Sequence, residues 1–285
     1  MKITRRTLLQ GAAAGLAGGV VVPSLRTAHA APKPAAKIRV GSCVVGLEDG
    51  KKAGLDGVEI RVGDPAEKLE VADPAVRQRY KDEMRETGLV ISSFMMGLLN
   101  STPLASDPRG PAWLEQSIDA AKDLGAGVIL VAFFGKGSLL QDRELKKDDV
   151  DVVIQRLKAA APRAKDAGVI LGIENTLSAR QNAEILDRIG HDSVRVYYDV
   201  GNSNVQGYDV PAEIRFLKDR IAIFHFKDGR SYLGEGKLRF EPIAAAIHEI
   251  GYQGWIVMET SNPSKDRVAD AKRNAAYIRK LFGMA

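Results

Sequence analysis

Short apolar runs rich in β-branched residues alternate with longer segments of helical periodicity from Lys37 onward. Glycine commonly stands where a helical segment ends and the next apolar run begins. The predicted strands are 38–43, 57–61, 89–95, 127–133, 169–175, 194–199, 221–227 and 255–260. The predicted helices between them include 74–87, 112–124, 150–167, 179–189, 240–250 and 266–282. This alternation requires crossover connections and therefore predicts parallel strands.

Eight parallel strands in one unit of this length favour closure into a barrel. The sequence thus predicts an α/β fold, a single (β/α)8 TIM barrel over residues 37–285. A doubly wound open sheet is the alternative, but it calls for a Gly-x-Gly-x-x-Gly turn after an early strand. The segment 41–46, GSCVVG, does not supply that turn.

The first thirty residues have the pattern of a cleavable export signal. A basic start precedes an apolar stretch over residues 8–22 and the small-residue sequence AHA at 28–30. The sequence TRRTLL at 4–9 resembles the twin-arginine motif, which predicts that the protein is periplasmic or otherwise exported, by the twin-arginine machinery. A general secretory signal or an uncleaved anchor remains an alternative. Residues 31–36 read as a linker.

Charge and cysteine content exclude some classes of protein. Four basic residues and no acid lie in residues 1–30, so most of the formal charge of +5 belongs to the predicted signal. The remaining chain is nearly neutral, which does not indicate a nucleic-acid partner. No later segment is apolar over the length of a membrane span, so no stable membrane insertion is expected after cleavage. Cys43 is the only cysteine, and a buried structural thiol is expected.

Four late strands end in potential metal ligands, namely Glu174, Asp199, His225 and Glu259. They are 25, 26 and 34 residues apart, about one strand and helix each, so a barrel places them together at the carboxyl rim. Taken alone, each residue could be a cap or a structural side chain. An oxygen-rich set with one imidazole suits Mn²⁺ best, with Mg²⁺, Co²⁺ or Zn²⁺ as alternatives.

The chain resembles the xylose isomerase-like TIM barrels of the sugar phosphate isomerase/epimerase family, including ketose 3-epimerases and hydroxypyruvate isomerase. The resemblance covers residues 37–282 and rests on the sequences EN at 174–175, DVGN at 199–202, HFKD at 225–228, LGEG at 233–236 and GYQGW at 251–255. It implies that Glu174, Asp199, His225 and Glu259 bind one divalent metal. It also implies that Glu174 and Glu259 form the catalytic acid/base pair.

Four further residues are candidates for substrate binding. Lys227 follows His225 by two positions and shares its side of the strand. Arg230 follows in the loop, and Asn202 takes a position where the family uses a polar contact. Glu59, in the second strand, could reach substrate in the barrel mouth. The alternatives are a solvated surface charge for Lys227 and Arg230, a turn residue for Asn202, and an ion pair of Glu59 with Arg61 or another base.

Some familiar family features are absent from the sequence. Thr176 follows Glu174-Asn175 where many relatives have histidine, and no histidine lies near the second or third strand. These departures argue against a xylose isomerase mechanism with a catalytic histidine. They also argue against the related DNA-repair endonucleases, which need more histidines for three zinc ions.

The predicted activity is therefore a metal-dependent isomerisation or epimerisation of a small sugar or keto-sugar. Proton abstraction next to a carbonyl would pass through an enediolate, with two carboxylates moving the proton. The alternative is a lyase or dehydratase acting on a 3-keto-glycoside or inosose. A non-catalytic carbohydrate-binding barrel is disfavoured because it would not need both glutamates. Export disfavours a phosphorylated substrate, and a homo-oligomer is compatible with the family.

Overall fold

A computed structural model describes residues 37–284 of the chain. The predicted signal (1–30) and linker (31–36) lie outside the described residues. Within residues 37–284, no helix has the length and apolar character needed to cross a membrane.

Eight parallel strands close into a barrel, which confirms the predicted fold. The strands are β1 Ile38–Ser42, β2 Gly57–Arg61, β3 Val90–Met96, β4 Val128–Ala132, β7 Ile170–Glu174, β8 Val194–Asp199, β9 Ile221–Phe226 and β10 Gly254–Met258. Around the barrel the order is β1-β10-β9-β8-β7-β4-β3-β2, so each strand lies beside its neighbour in the chain and the last pairs with the first. A small antiparallel ribbon of β5 Leu140–Gln141 and β6 Glu144–Leu145 stands apart from it.

Helices cover the outside of the barrel between the strands. They are α1 Leu47–Ala53, α2 Pro74–Thr87, α3 Gly110–Leu124, α4 Lys147–Asp166, α5 Ala179–Ile189, α6 Val200–Val205, α7 Val210–Leu217, α8 Phe240–Glu249 and α9 Arg267–Leu281. Local chemistry sets several of their ends. Ser178 and Gln181 form a reciprocal capping box at the start of α5, and Gly190 ends that helix at a φ of 66°.

The main departures from the predicted elements are three short helices. The predicted strands agree with the structure to within two residues, but α1, α6 and α7 were not expected. Each has only six to eight residues, too few for a helical period to stand out from the surrounding loop. Caps define the last two, because Asp199 accepts from the N–H of Asn202 and Asp209 accepts from that of Ala212.

The apolar core has two parts, one on each side of the barrel wall. A large cluster fills the space between strands and helices. A smaller cluster fills the barrel interior and comprises Val128, Leu130, Ala132, Tyr197, Ile223, Trp255 and Val257. Because side chains alternate along a strand, the residues two positions beyond these interior ones also point inward, at the carboxyl rim. The packed interior therefore forms a floor beneath the rim.

Candidate metal centre and active site

The four predicted metal ligands lie on this floor. His225 follows inward-facing Ile223 by two positions, Asp199 follows Tyr197, and Glu259 follows Val257. Asp199 and His225 are also paired across β8 and β9. One potential ligand atom from each of Glu174, Asp199, His225 and Glu259 lies within 4.8 Å of every other. The barrel thus brings together side chains spread over four strands.

His225 stands at the centre of this cluster, with its side chain fully buried. Its Nδ1 atom lies 3.0 Å from Oε1 of Glu174, 3.6 Å from Oε2 of Glu259 and 3.9 Å from Oδ2 of Asp199. Its Nε2 atom points the other way, 3.1 Å from Oε1 of Glu59. Nδ1 is therefore the nitrogen that faces the three carboxylates.

Glu59 lies beneath His225 and does not face the barrel mouth. Its side chain has no exposed surface. Its Oε2 atom accepts hydrogen bonds from Ser93 Oγ at 2.7 Å and Tyr197 OH at 2.8 Å. This position is at odds with a direct substrate contact. The alternative, a contact with a base, is present, but the base is His225 and not Arg61, and its Nε2 lies 3.1 Å from Oε1 of Glu59.

The supporting contacts of Glu59 could not be read from the sequence. Glu59 and Ser93 are neighbours because β2 and β3 pair there, just after a register shift between Val58 and Glu59. Tyr197 comes from β8 on another side of the barrel, and its ring packs against the imidazole of His225 at 4.5 Å between centroids. The only sequence signal was the pair of serines at 92–93 inside an apolar strand.

Lys227 lies on the same side of its strand as His225 and contacts the carboxylates directly. Its Nζ atom is 2.7 Å from Oε2 of Glu259 and 2.9 Å from Oδ2 of Asp199. The contact with Glu259 has hydrogen-bond geometry, whereas Oδ2 of Asp199 is buried without a hydrogen bond among the described residues. A buried carboxylate oxygen without a hydrogen bond is costly unless a cation meets it.

These features fit a divalent cation. With His225 neutral, four buried or half-buried carboxylates face a single ammonium group, so the cluster carries excess negative charge. Glu174, Asp199, His225 and Glu259 supply oxygen and nitrogen donors within reach of one ion. The incompletely satisfied Oδ2 of Asp199 is an available ligand atom.

The electrostatic environment perturbs every member of the cluster. Burial, aided by the neighbouring carboxylates Asp199 and Glu259, raises the pKa of Glu174 to about 7. Burial also raises the pKa of Asp199, against the lowering influence of Lys227 and His225. Buried carboxylates that repel one another have raised pKa values. Perturbed pKa values of this kind cluster at functional sites.

His225 and Glu259 shift in the direction that favours charge. Burial acts to lower the pKa of His225, but the carboxylates of Glu174 and Glu59 outweigh it and hold that pKa well above its usual value. Burial acts to raise the pKa of Glu259, but His225 and Lys227 outweigh it and lower that pKa. Without a metal, the protonated imidazole partly balances the carboxylates.

Two adjoining cavities open beside the cluster. One has a volume of about 220 Å³ and is lined by Glu174, Glu259, Lys227 and Asn202 among others. The other, of about 390 Å³, also reaches Glu259. Of the predicted substrate-binding residues, Asn202 and Lys227 therefore line the cavity that holds both glutamates.

Arg230 does not line either of these two cavities. It is exposed and lines a third cavity of about 340 Å³, which shares Lys227 with the cavity of Glu174. The structure therefore does not bring Arg230 to the cavity that holds Glu174 and Glu259. Its predicted contact with substrate stays a prediction.

Cys43 is only partly buried and borders the larger cavity near His225. Desolvation by burial raises the pKa of its thiol to about 11, although a hydrogen bond to His225 acts in the opposite direction. The thiol is thus protonated at neutral pH, and a reactive thiolate is not indicated. Trp113 is fully buried and donates its indole N–H to the carbonyl of Ala66, as expected for a packing residue.

Known proteins with similar sequences are sugar enzymes. The chain is 29% identical over 233 residues to "Putative L-ribulose-5-phosphate 3-epimerase SgbU" of Escherichia coli (strain K12), covering 73% of this chain and 80% of that protein. It is 27% identical over 236 residues to "Ketose 3-epimerase" of Arthrobacter globiformis, covering 75% and 76%. It is 27% identical over 179 residues to "Inosose dehydratase" of Lacticaseibacillus casei, covering 50% and 60%.

The solved structure of an L-ribulose 3-epimerase has the same fold. It superposes with a TM-score of 0.71 at 24% sequence identity, covering 86% of this chain and 95% of that one. The profile of the family described as "Xylose isomerase-like TIM barrel" matches residues 47–281. The match spans α1 to α9 and includes all four residues of the carboxylate and histidine cluster. The chain therefore belongs to the xylose isomerase-like TIM barrel family.

Proposed function

We propose that this protein is a divalent-metal-dependent isomerase or epimerase of a small sugar or keto-sugar. The observation that carries the proposal is the convergence of Glu174 and Glu259 on one cavity, together with four potential metal ligands within 4.8 Å of one another. Two carboxylates on separate strands beside a cation site suit proton transfer at a carbon next to a carbonyl. The ketose 3-epimerase relative supports the same class of reaction.

Glu174, Asp199, His225 and Glu259 would hold the metal, with Nδ1 of His225 as the nitrogen ligand. We favour Mn²⁺ because three of the four donors are carboxylates. When bound, the ion would polarise the substrate carbonyl and make the neighbouring C–H more acidic. This assignment is supported by the excess of carboxylates over cations and by Oδ2 of Asp199, which is buried and meets Lys227 but has no hydrogen bond among the described residues.

The side chains of the cavity would then carry out the proton transfer. One of Glu174 and Glu259 takes a proton from the carbon, and the other returns a proton to the opposite face or to the adjacent carbon. The first outcome is epimerisation and the second is isomerisation. Lys227 and Asn202 line the same cavity and would donate hydrogen bonds to substrate oxygens.

A lyase or dehydratase is the second candidate, supported by the likeness to inosose dehydratase. The same base can remove a proton next to a carbonyl, after which the oxygen on the next carbon takes up a proton and leaves, as water from a hydroxyl group or as an alcohol from a glycosidic bond. The product distinguishes elimination from epimerisation.

Deuterium exchange tests both candidates. The Mn²⁺-loaded protein is incubated in D₂O with ketoses, 3-keto-glycosides and inososes. We expect deuterium at the carbon next to the carbonyl of the true substrate, and loss of that exchange in Glu174→Gln and Glu259→Gln. The exposed helix residue Glu184 provides a matched control, since Glu184→Gln leaves the site intact. Full exchange in both site variants would refute the proposal.

We also propose that the protein is exported through the twin-arginine machinery. The support is sequence alone: paired arginines at 5–6, an apolar stretch and a small-residue site at 28–30. Replacing both arginines by lysine should retain the protein in the cytoplasm, as measured by fractionation. Unchanged export would refute the twin-arginine route.

A further inference from the structure

The larger cavity next to Glu259 has a wall of its own beside the candidate metal centre. Its volume of about 390 Å³ exceeds that of the neighbouring cavity with Glu174. Its wall is built from the ends of β1, β2 and β3, the segment after β10 and the first turn of α9. Met95 and Glu259 line both cavities, so one ligand can extend from one into the other.

The guanidinium groups of two arginines that line this cavity have no partner among the described residues. Within residues 37–284, neither Arg61 nor Arg267 has an acidic side chain in ion-pair range or a hydrogen-bond acceptor. Arg77 and Arg163, by contrast, each form an ion pair with an aspartate at 2.7 Å. Arg61 and Arg267 are 206 positions apart in the sequence, and the fold brings both to one wall.

The acidic residues of the same wall are already bonded to other groups. Glu259 is held by Lys227 at 2.7 Å. Asp270 accepts from Tyr232 OH at 2.8 Å, and from Ser264 through Oγ at 2.6 Å and the backbone N–H at 3.1 Å. The two guanidinium groups are therefore left to face the cavity without an acid of their own.

We infer that this cavity binds the anionic end of the substrate, a carboxylate or phosphate group remote from the reacting carbon. Guanidinium groups bind such groups through charge-assisted and often bidentate hydrogen bonds. With the anion at Arg61 and Arg267, the chain of the sugar passes Met95 and Glu259 and places its carbonyl end beside Glu174. The inference rests on the proposed function and specifies its substrate class as acidic ketoses.

Binding of unreactive sugar analogues tests the inference without turnover. A pentonate, a pentitol 5-phosphate and a neutral pentitol are titrated into the Mn²⁺-loaded protein by calorimetry. We expect at least one anionic analogue to bind about tenfold or more tightly than the pentitol, because a hydrogen bond to a charged group contributes at least that much. The preferred analogue separates a carboxylate from a phosphate ligand.

Arginine variants then locate the binding. Arg61→Met and Arg267→Met should each weaken binding of the anionic analogue about tenfold and leave the affinity for the pentitol unchanged. Arg239→Met is the matched control, since Arg239 is an exposed arginine outside this cavity. The inference is overturned if the pentitol binds as tightly as both anions, or if the anion preference survives in the Arg61 and Arg267 double variant.

The outcomes also separate this site from the proposed reaction. If neutral and acidic ketoses exchange equally and the arginine variants have no effect, the anion site is refuted but the proposed isomerase activity stands. An anion preference that depends on the arginines, with no exchange on any sugar, would leave the site but remove the reaction.

Discussion

Removing the charge of Glu59 should weaken metal binding, although Glu59 is not itself one of the four proposed ligands. The carboxylate of Glu59 can only accept, so it selects the tautomer of His225 with the proton on Nε2 and leaves Nδ1 free for the metal. Ser93 and Tyr197 hold the carboxylate in place from the other side. Such partners of metal-bound histidines orient the ring and raise its basicity.

The magnitude follows from the geometry. Glu59→Gln keeps the size of the side chain and can still accept at 3.1 Å from Nε2, but it loses the negative charge. Loss of such a partner typically weakens metal affinity by about 10- to 100-fold, or about 1.4–2.7 kcal/mol. We therefore expect a rise of this size in the Kd for Mn²⁺, with the fold retained.

Calorimetric titration of Mn²⁺ into chelator-treated protein measures this change. Circular dichroism and thermal unfolding of the metal-free variant establish that it is folded. Glu184→Gln again serves as the control, because it removes an exposed carboxylate far from the cluster. A Kd for Glu59→Gln within twofold of the wild type would refute the role of Glu59 in orienting His225.

Three further predictions concern charge and packing. Lys227→Met should tighten Mn²⁺ binding about tenfold, because the ammonium group 2.9 Å from Asp199 competes with the metal cation. The same variant should slow turnover. Calorimetric titration measures the affinity, and the deuterium exchange assay measures the turnover. Because the pKa of Glu174 is raised to about 7 in the folded state, protonation of this carboxyl stabilises the metal-free fold at low pH. This contribution to the free energy of unfolding should fade between about pH 4.5 and 7, and urea unfolding of Glu174→Gln should show a weaker dependence of stability on pH. Gly57→Ala should destabilise the barrel by about 1–3 kcal/mol, since a Cβ would lie 2.7 Å from the ring of Trp255.

Each of these has a result that contradicts it. Unchanged or weaker Mn²⁺ binding by Lys227→Met would show that the ammonium does not compete with the metal. The sign for Glu174 follows because a carboxyl whose pKa is raised on folding binds more protons in the folded state, so stability falls as pH rises. An identical pH profile for Glu174→Gln would therefore exclude it as the source. A loss below 0.5 kcal/mol for Gly57→Ala would show that the ring of Trp255 and the backbone carbonyl of Val90, 2.6 Å from the added Cβ, both move without strain.

The sequence by itself determined the barrel and the rim positions of its candidate metal ligands. Alternating strand and helix patterns allow few connections, and period-two alternation places Asp199 and His225 on the same face as the interior residues two positions before them. The spacing of about one strand and helix then brings Glu174 and Glu259 to the same end. These rules depend only on neighbouring residues and on spacing along the chain, so they can be applied to the sequence alone.

Contacts across the barrel were decided only by the tertiary structure. Glu59 reaches His225 from a strand 166 positions away, and Arg61 shares a cavity with Arg267 because β2 and α9 border the same opening. Neither pairing produces a pattern in the sequence, because the local sequence of a strand does not determine which side chains it faces across a closed barrel. The short helix α6 belongs to the same class, because the carboxylate that caps it, Asp199, is also a candidate metal ligand.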